Sequence, residues 1–458
     1  MTGNPHTDGI AAALAPEEWN LFRDFLRFPS INARPEHAGD VRACAEWLDD
    51  LLRGWGLESR LCETAGAPVV LARTAPVANA RTVLLYGHYD VQPVEPLELW
   101  HSAPFEPEVR DGFVYARGAT DNKGQTFSHL LGLRRLLQGG PLPINLILVL
   151  EGEEEIGSPH FGEFLRAHRD ELACDAALVS DTSMIAPGEP ALTLGLRGIA
   201  CFEVTLRGPA ADLHSGMFGG ATPNPALALS RILGRLHDAD GRIAIPGFYD
   251  DVLPVATAER ESWEKLPWQE EWFVRTTGVR ADAGEDGLSV LERVWARPTA
   301  EVNGLASGHQ GAGSKTIIPA TATAKLSFRL APAQVPDRVA ELVAGWFRAQ
   351  FDIEQLPGEI RHDHGGEPFY TPPDDPFLQA AAAALAEVFG RPPALTREGL
   401  SIPATAMLQK ELGMPVVLAG LGLPDCNAHA PDECYPLAHL DLGARLFAAM
   451  VRRFAAVR

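Results

Sequence analysis

TVLLYGHYD (Thr82–Asp90), NLILVLEGEEE (Asn145–Glu155), AALVSD (Ala176–Asp181) and PVVLAG (Pro415–Gly420) share one construction, a short apolar run that stops at a polar cluster or a glycine. Runs this short, with no polar residue inside them, fit strands buried on both faces of a mostly parallel sheet. Pro68–Ala72 has the same texture. Working outward, Thr126–Leu137 has a helical pattern, and residues 17–28 place Leu21, Phe22, Phe25 and Leu26 on one helical face. Residues 40–55 repeat Val41, Cys44, Leu48, Leu51 and Trp55 at steps of three and four, a second amphipathic helix. Strands alternating with helices predict an α/β catalytic domain with a mostly parallel sheet flanked by helices.

Between about Leu196 and Tyr370 the pattern changes. Cys201–Arg207 and Thr321–Leu330 alternate apolar and polar residues, as strands with one solvated face do, and Pro225–His237 and Pro336–Phe351 read as helices. Pro376–Val388 and Pro415–Ala419 then return to the earlier style. The expectation is an inserted α+β lid or dimerisation domain at 197–371, within a catalytic domain formed by 1–196 and 372–458. Residues 245–300 hold four tryptophans without clean periodicity and receive no assignment.

A length of 458 residues allows two or three domains at roughly 150 residues each. Hydrophobic residues at 46% and charged residues at 22% exclude a disordered chain. With 60 acidic against 39 basic residues and a net charge of −21, a nucleic-acid or anionic-membrane partner is a poor expectation. Met1–Ile10 has no Lys or Arg, unlike a targeting segment. Six scattered cysteines without a CxxC pair suit reduced thiols, so the expected location is cytoplasmic.

In open α/β sheets ligands collect outside the carboxyl ends of the strands. Placed there are His88 and Asp90, Glu151 to Glu155, Asp181 and, past a glycine-rich turn, His429. Carboxylates crowded in one crevice repel one another unless a divalent cation joins them. Imidazole with carboxylate suits Zn²⁺, Mn²⁺ or Co²⁺, and a bridging carboxylate would pair two such ions. Each signal is weak by itself: an HxD pair is more often structural, an acidic run is usually a solvated face, and Asp121, ahead of a helix, reads as a cap or turn residue. Their recurrence at successive strand ends is what points to a site.

YGHYDVQP (86–93), RGATDNKG (117–124), EGEEEIGS (151–158), VSD (179–181), DLHSGMFGG (212–220), SFRL (327–330), HGGEPF (364–369), TREGLSIP (396–403) and NAHAPDE (427–433) carry a resemblance over most of the chain, from about Phe25 onward. The sequence resembles the co-catalytic zinc metallopeptidase family of carnosinases and related dipeptidases. Its wider relatives include glutamate carboxypeptidase, acetylornithine deacetylase and succinyl-diaminopimelate desuccinylase. The resemblance implies a hydrolase that cleaves the amide of a dipeptide by a two-metal-activated water; a carboxypeptidase or N-acyl-amino-acid amidohydrolase is the alternative. It implies two divalent ions per subunit, Zn²⁺ ahead of Mn²⁺ or Co²⁺. His88, Asp181, Glu155 and His429 would be ligands, with Asp121 bridging and followed by a non-proline cis peptide. Glu154 would be the general base, a register that three consecutive glutamates do not themselves reveal. Asp90 would orient His88, and His214 would stabilise the oxyanion in the other subunit of a homodimer with shared sites. Arg329 would hold the carboxylate of a small peptide substrate, with His364, Gly399 and Ser401 beside it.

Overall fold

The computed structural model describes residues 14–266, 270–281, 283–399 and 401–458. Met1–Ile10, Trp268 and Leu400, on which parts of the sequence reading fall, lie outside the described residues. The chain separates into two compact units. One contains the described residues through Leu194 with Thr371–Thr396 and Ile402–Arg458; the other contains Gly195–Tyr370 and Arg397–Ser401.

The first unit is built on a sheet ordered Glu58–Cys62, Val69–Arg73, Asn145–Glu151, Thr82–His88, Ala176–Val179, Val416–Leu418 and Ala191–Leu196. The four central strands are mutually parallel. Their apolar runs are buried along nearly their whole length, as strands covered on both faces must be. Val69–Arg73, which the sequence also marks as a buried strand, pairs antiparallel with both neighbours. Because the central strands run the same way, their carboxyl ends share one sheet edge, and the register sets His88 opposite Glu151. Helices Lys123–Gln138 and Leu437–Ala455 pack together closely, since a Cβ on Gly132 would come within 2.7 Å of the Ala444 carbonyl oxygen.

The second unit holds a four-stranded antiparallel sheet ordered Thr299–Ser307, Thr321–Leu330, Gly198–Arg207 and Gly358–Gly366. Its central strands alternate buried and partly exposed residues. The buried face, with Phe202, Val204, Leu326 and Phe328, packs on helices Pro225–Gly234 and Pro336–Glu354 through Leu229, Ile232, Val343 and Phe347. Full burial of each such side chain contributes about 1.5–3 kcal/mol. Among the described residues no helix is long and apolar enough to cross a membrane. All six cysteines are free thiols.

Candidate active site

The parallel sheet edge gathers the expected ligands of the first unit. His88 is the last residue of its strand, Asp181 lies two residues past Val179, and Glu154–Ile156 is a 3-10 turn directly after Glu151. Asp121 precedes helix Lys123–Gln138 and is joined to Asn122 by a cis peptide bond. His429 takes a left-handed backbone, φ 62°, in a loop where Asn427 and Asp432 do the same.

Two groups of potential ligand atoms result, His88–Asp121–Asp181 and Asp121–Glu155–His429, and Asp121 belongs to both. Its Oδ1 is 3.1 Å from His88 Nε2, and its Oδ2 is 2.8 Å from His429 Nε2. His88 Nε2 is also 3.7 Å from Asp181 Oδ1, and His429 Nε2 is 3.3 Å from Glu155 Oε2. His88 is fully buried. Its Nδ1 lies 3.1 Å from the Asp90 carbonyl oxygen, which can only accept, so Nδ1 carries a proton and Nε2 is the nitrogen turned toward Asp121 and Asp181.

Charge in this cluster is unbalanced. Burial pushes the Glu154 carboxyl well above its usual range, and Asp181, Glu155 and Asp121 push the same way against the pull of His88. Burial and then Asp121 push Glu155 up to about 7, and burial raises Asp181. Hydrogen bonds to Asp121 and Glu155 raise His429 to about 10. Glu155 Oε1 is buried without a hydrogen-bond partner. A crowd of buried carboxylates with an unsatisfied oxygen and two correctly turned imidazoles fits divalent cations, and the nitrogen and oxygen donor set suits Zn²⁺, Mn²⁺ or Co²⁺.

Other side chains fasten these groups. Besides its carbonyl contact to His88, Asp90 accepts the backbone N–H groups of Glu154 at 3.3 Å and Glu155 at 3.0 Å through its carboxylate, which holds the turn. Gln92 Nε2 donates to Glu155 Oε2 at 2.8 Å, and Asn122 Nδ2 donates to Asp181 Oδ1 at 2.7 Å. Glu433, fully buried, accepts from Arg117 Nη1 at 2.7 Å and from the N–H groups of Gly118, Thr120 and Asp121 at 2.8, 2.8 and 2.9 Å. It ties the His429 loop to the Asp121 segment more than 300 residues earlier in the chain. Sequence reading gave no role to Gln92, Asn122 or Glu433, although all three sit inside the quoted motifs. Groups supporting metal ligands are typically worth about 10- to 100-fold in affinity. Glu433→Ala should therefore weaken divalent-ion binding by about that factor, measured by calorimetric titration of the metal-free protein; unchanged affinity would refute the tie.

The second unit gathers a different set. Arg329 Nη1 donates to Ser401 Oγ at 3.4 Å, and Ser401 Oγ donates to the Arg197 carbonyl at 2.7 Å. A Cβ on Gly399 would lie 2.7 Å from Arg197 Nη2, so only glycine lets the guanidinium approach this closely. Arg197 is a second cation beside Arg329. Burial, and then the charge of Arg329, lowers it to about 10, and its Nε is buried without a partner. Among the described residues no carboxylate pairs with Arg197 or Arg329, so the two guanidiniums form an anion-seeking end. Arg197 stands between two strands, where sequence periodicity gives no signal. His214 caps a four-residue helix, its Nδ1 accepting from Gly216 N at 3.1 Å, and His364 lies exposed on the edge strand with Nδ1 3.4 Å from the Asp363 carboxylate. Among the described residues neither ring bonds to Arg329 or Ser401.

Comparison with known proteins agrees with this chemistry. A Cys-Gly metallodipeptidase of Candida albicans is 33% identical over 92% of this chain and 91% of its own length. The human Beta-Ala-His dipeptidase is 32% identical over 83% of this chain and 76% of its own. The solved structure of an M20 family metallo-carboxypeptidase from Sulfolobus solfataricus superposes with a TM-score of 0.82 at 31% identity, covering 96% of this chain and all of that one. Residues 84–453 match the profile of peptidase family M20/M25/M40. The chain is a metallopeptidase and belongs to that family.

Proposed function

We propose that this metallopeptidase is a dipeptidase, hydrolysing the single amide of a dipeptide. The observation that carries the reading is Asp121, whose two oxygens face two separate imidazole–carboxylate groups. His88, Asp121 and Asp181 would hold one divalent ion, and Asp121, Glu155 and His429 the other, with zinc preferred over manganese or cobalt. Bound there, the pair would supply Lewis acidity toward the scissile carbonyl and acidify water. Glu154 takes the proton of the attacking water and delivers it to the leaving amine, a task suited to a carboxyl held up by burial. Asp90 fixes the His88 tautomer and the turn carrying Glu154. Arg329, with Ser401 and the Gly399 backbone, receives the substrate carboxylate, and His364 contacts the substrate beside them. His214 donates to the oxyanion in the partner's site of a homodimer. The catalytic domain is assigned to 1–196 and 372–458, with Arg397–Ser401 belonging to the second compact unit, and the lid to 197–371; the enzyme works in the cytoplasm.

Both curated relatives are named as dipeptidases. A second reading, a carboxypeptidase or N-acyl-amino-acid amidohydrolase on the same centre, is favoured by the likeness to the metallo-carboxypeptidase. A panel of dipeptides, longer peptides and N-acetyl amino acids, assayed with Zn²⁺, Mn²⁺ and Co²⁺, separates them. Turnover confined to substrates with a free α-amino group and one peptide bond supports the dipeptidase. Turnover of N-acetyl amino acids without dipeptides would overturn it.

A further inference from the structure

The tryptophan-rich stretch of the second unit folds into short helices, among them Thr257–Trp263 and Val290–Trp295. Trp263, Leu291 and Ala296 form a small core, with Trp295 edge-on to Trp263 at 5.4 Å, and Arg260 joins the two helices by donating to Glu292 at 2.8 Å. The helix Thr257–Trp263 carries one fully buried carboxylate, Glu259. Its oxygens accept from Arg397 Nε at 2.5 Å and Nη2 at 2.8 Å, from the Tyr370 hydroxyl at 3.1 Å and from the Ala256 N–H at 3.1 Å. Arg397 is also buried, and its guanidinium lies 4.4 Å from the centre of the Tyr370 ring.

Apolar residues of equal volume would hold such a helix in place as well as a buried ion pair does, or better. A bidentate pair adds direction, because the planar guanidinium can meet the carboxylate in one orientation only. That direction matters two residues later. From Arg397 the chain passes Glu398, whose carbonyl accepts the Arg197 N–H at 3.2 Å, and Gly399, pressed against the Arg197 guanidinium. It then reaches Ser401, whose hydroxyl lies between the Arg197 carbonyl and Arg329.

We propose that Glu259 is a positioning residue for substrate recognition: by fixing Arg397 it sets Gly399 and Ser401 against Arg197 and Arg329, so the helix Thr257–Trp263 serves as the rigid support of the carboxylate-binding end. The inference rests on the reading that Arg329 and Ser401 hold the substrate carboxylate. It assigns specificity for a free C-terminal carboxylate to a helix that does not itself carry the clamp.

The test compares a dipeptide with its C-terminal amide, using Glu259→Gln, Glu259→Asp, Arg329→Ala and the Glu259→Gln/Arg329→Ala double variant. Misplacing a binding group by about 1 Å can lower kcat/KM by up to about 100-fold. Glu259→Gln should lose about 10- to 100-fold in kcat/KM on the dipeptide, mainly through KM, and keep its rate on the amide. Added to Arg329→Ala, it should cause no further loss, because the two act as one unit. Glu259→Asp keeps the charge but draws the carboxylate back by one methylene; it should show the same selective loss and serves as the readout if the glutamine variant fails to fold. Equal losses on dipeptide and amide, or additive losses in the double variant, would overturn the proposal. If Arg329→Ala leaves the dipeptide KM unchanged, the clamp reading itself fails.

Discussion

Glu154→Gln should lower kcat by about 10²- to 10⁴-fold, the usual contribution of a positioned acid–base group, and leave the metal content as it was. Glutamine matches the shape of the side chain and removes its capacity to take a proton. Neither candidate ligand group contains Glu154, so ion binding has no reason to fall. The 3-10 turn also keeps its anchor, since Asp90 holds the backbone N–H groups of residues 154 and 155 and not the Glu154 side chain. Steady-state kinetics beside elemental analysis of the same sample makes the comparison. Undiminished turnover would move the base elsewhere in the acidic run. Glu153 is a poor replacement, because its carboxylate is engaged 2.8 Å from His160 Nδ1, and Glu151 is taken by the Tyr86 hydroxyl at 2.7 Å.

Asp121→Ala should be more damaging still. One side chain belongs to both candidate ligand groups, so its removal takes an oxygen from each and leaves the Nε2 atoms of His88 and His429 without their shortest contacts. Metal stabilisation of transition-state charge is worth several kcal/mol, so kcat/KM should fall by at least about 10³-fold. Bound metal should drop below one ion per chain after dialysis against trace metal. Glu433→Ala makes the contrast: it leaves every ligand atom in place and should reduce affinity without emptying the centre. Two ions per chain in the Asp121→Ala protein would sink the shared-ligand arrangement.

The central strands were legible because burial on both faces forces an uninterrupted apolar run, and the run itself marks where the strand ends. His88, Asp181 and the acidic turn were legible for the same reason, as His88 ends its strand and the others follow theirs within a few residues. The register within Glu153-Glu154-Glu155 was not, because adjacent glutamates differ only in where the turn points them. Glu433 escaped because its partners are mostly backbone N–H groups, which leave no mark in a sequence. Glu58–Cys62, ESRLC, was passed over as a strand because its burial is broken by Glu58 and two half-covered residues. The stretch 245–300 defeated periodicity because, among its described residues, the helices span only six to eight residues, about two turns, too few to repeat an apolar face. Arg329 was legible through the motif SFRL that carries the resemblance, whereas its neighbour Arg197 lies in a connection outside every quoted motif.

Strand order bears on how the protein can be made. Val416–Leu418 lies between Ala176–Val179 and Ala191–Leu196, so the place between two early strands is filled by a late one. At ribosomal speeds of about 5–20 residues per second, the two early strands wait about 10–45 s for it. Through that interval the nascent chain carries an open slot lined by unpaired amide and carbonyl groups, the kind of edge that recruits stray strands. His429 emerges later still, so until then the first candidate group is complete while the second has its carboxylates, Asp121 and Glu155, without its imidazole. The second candidate group is therefore the later of the two to be completed as the chain is made.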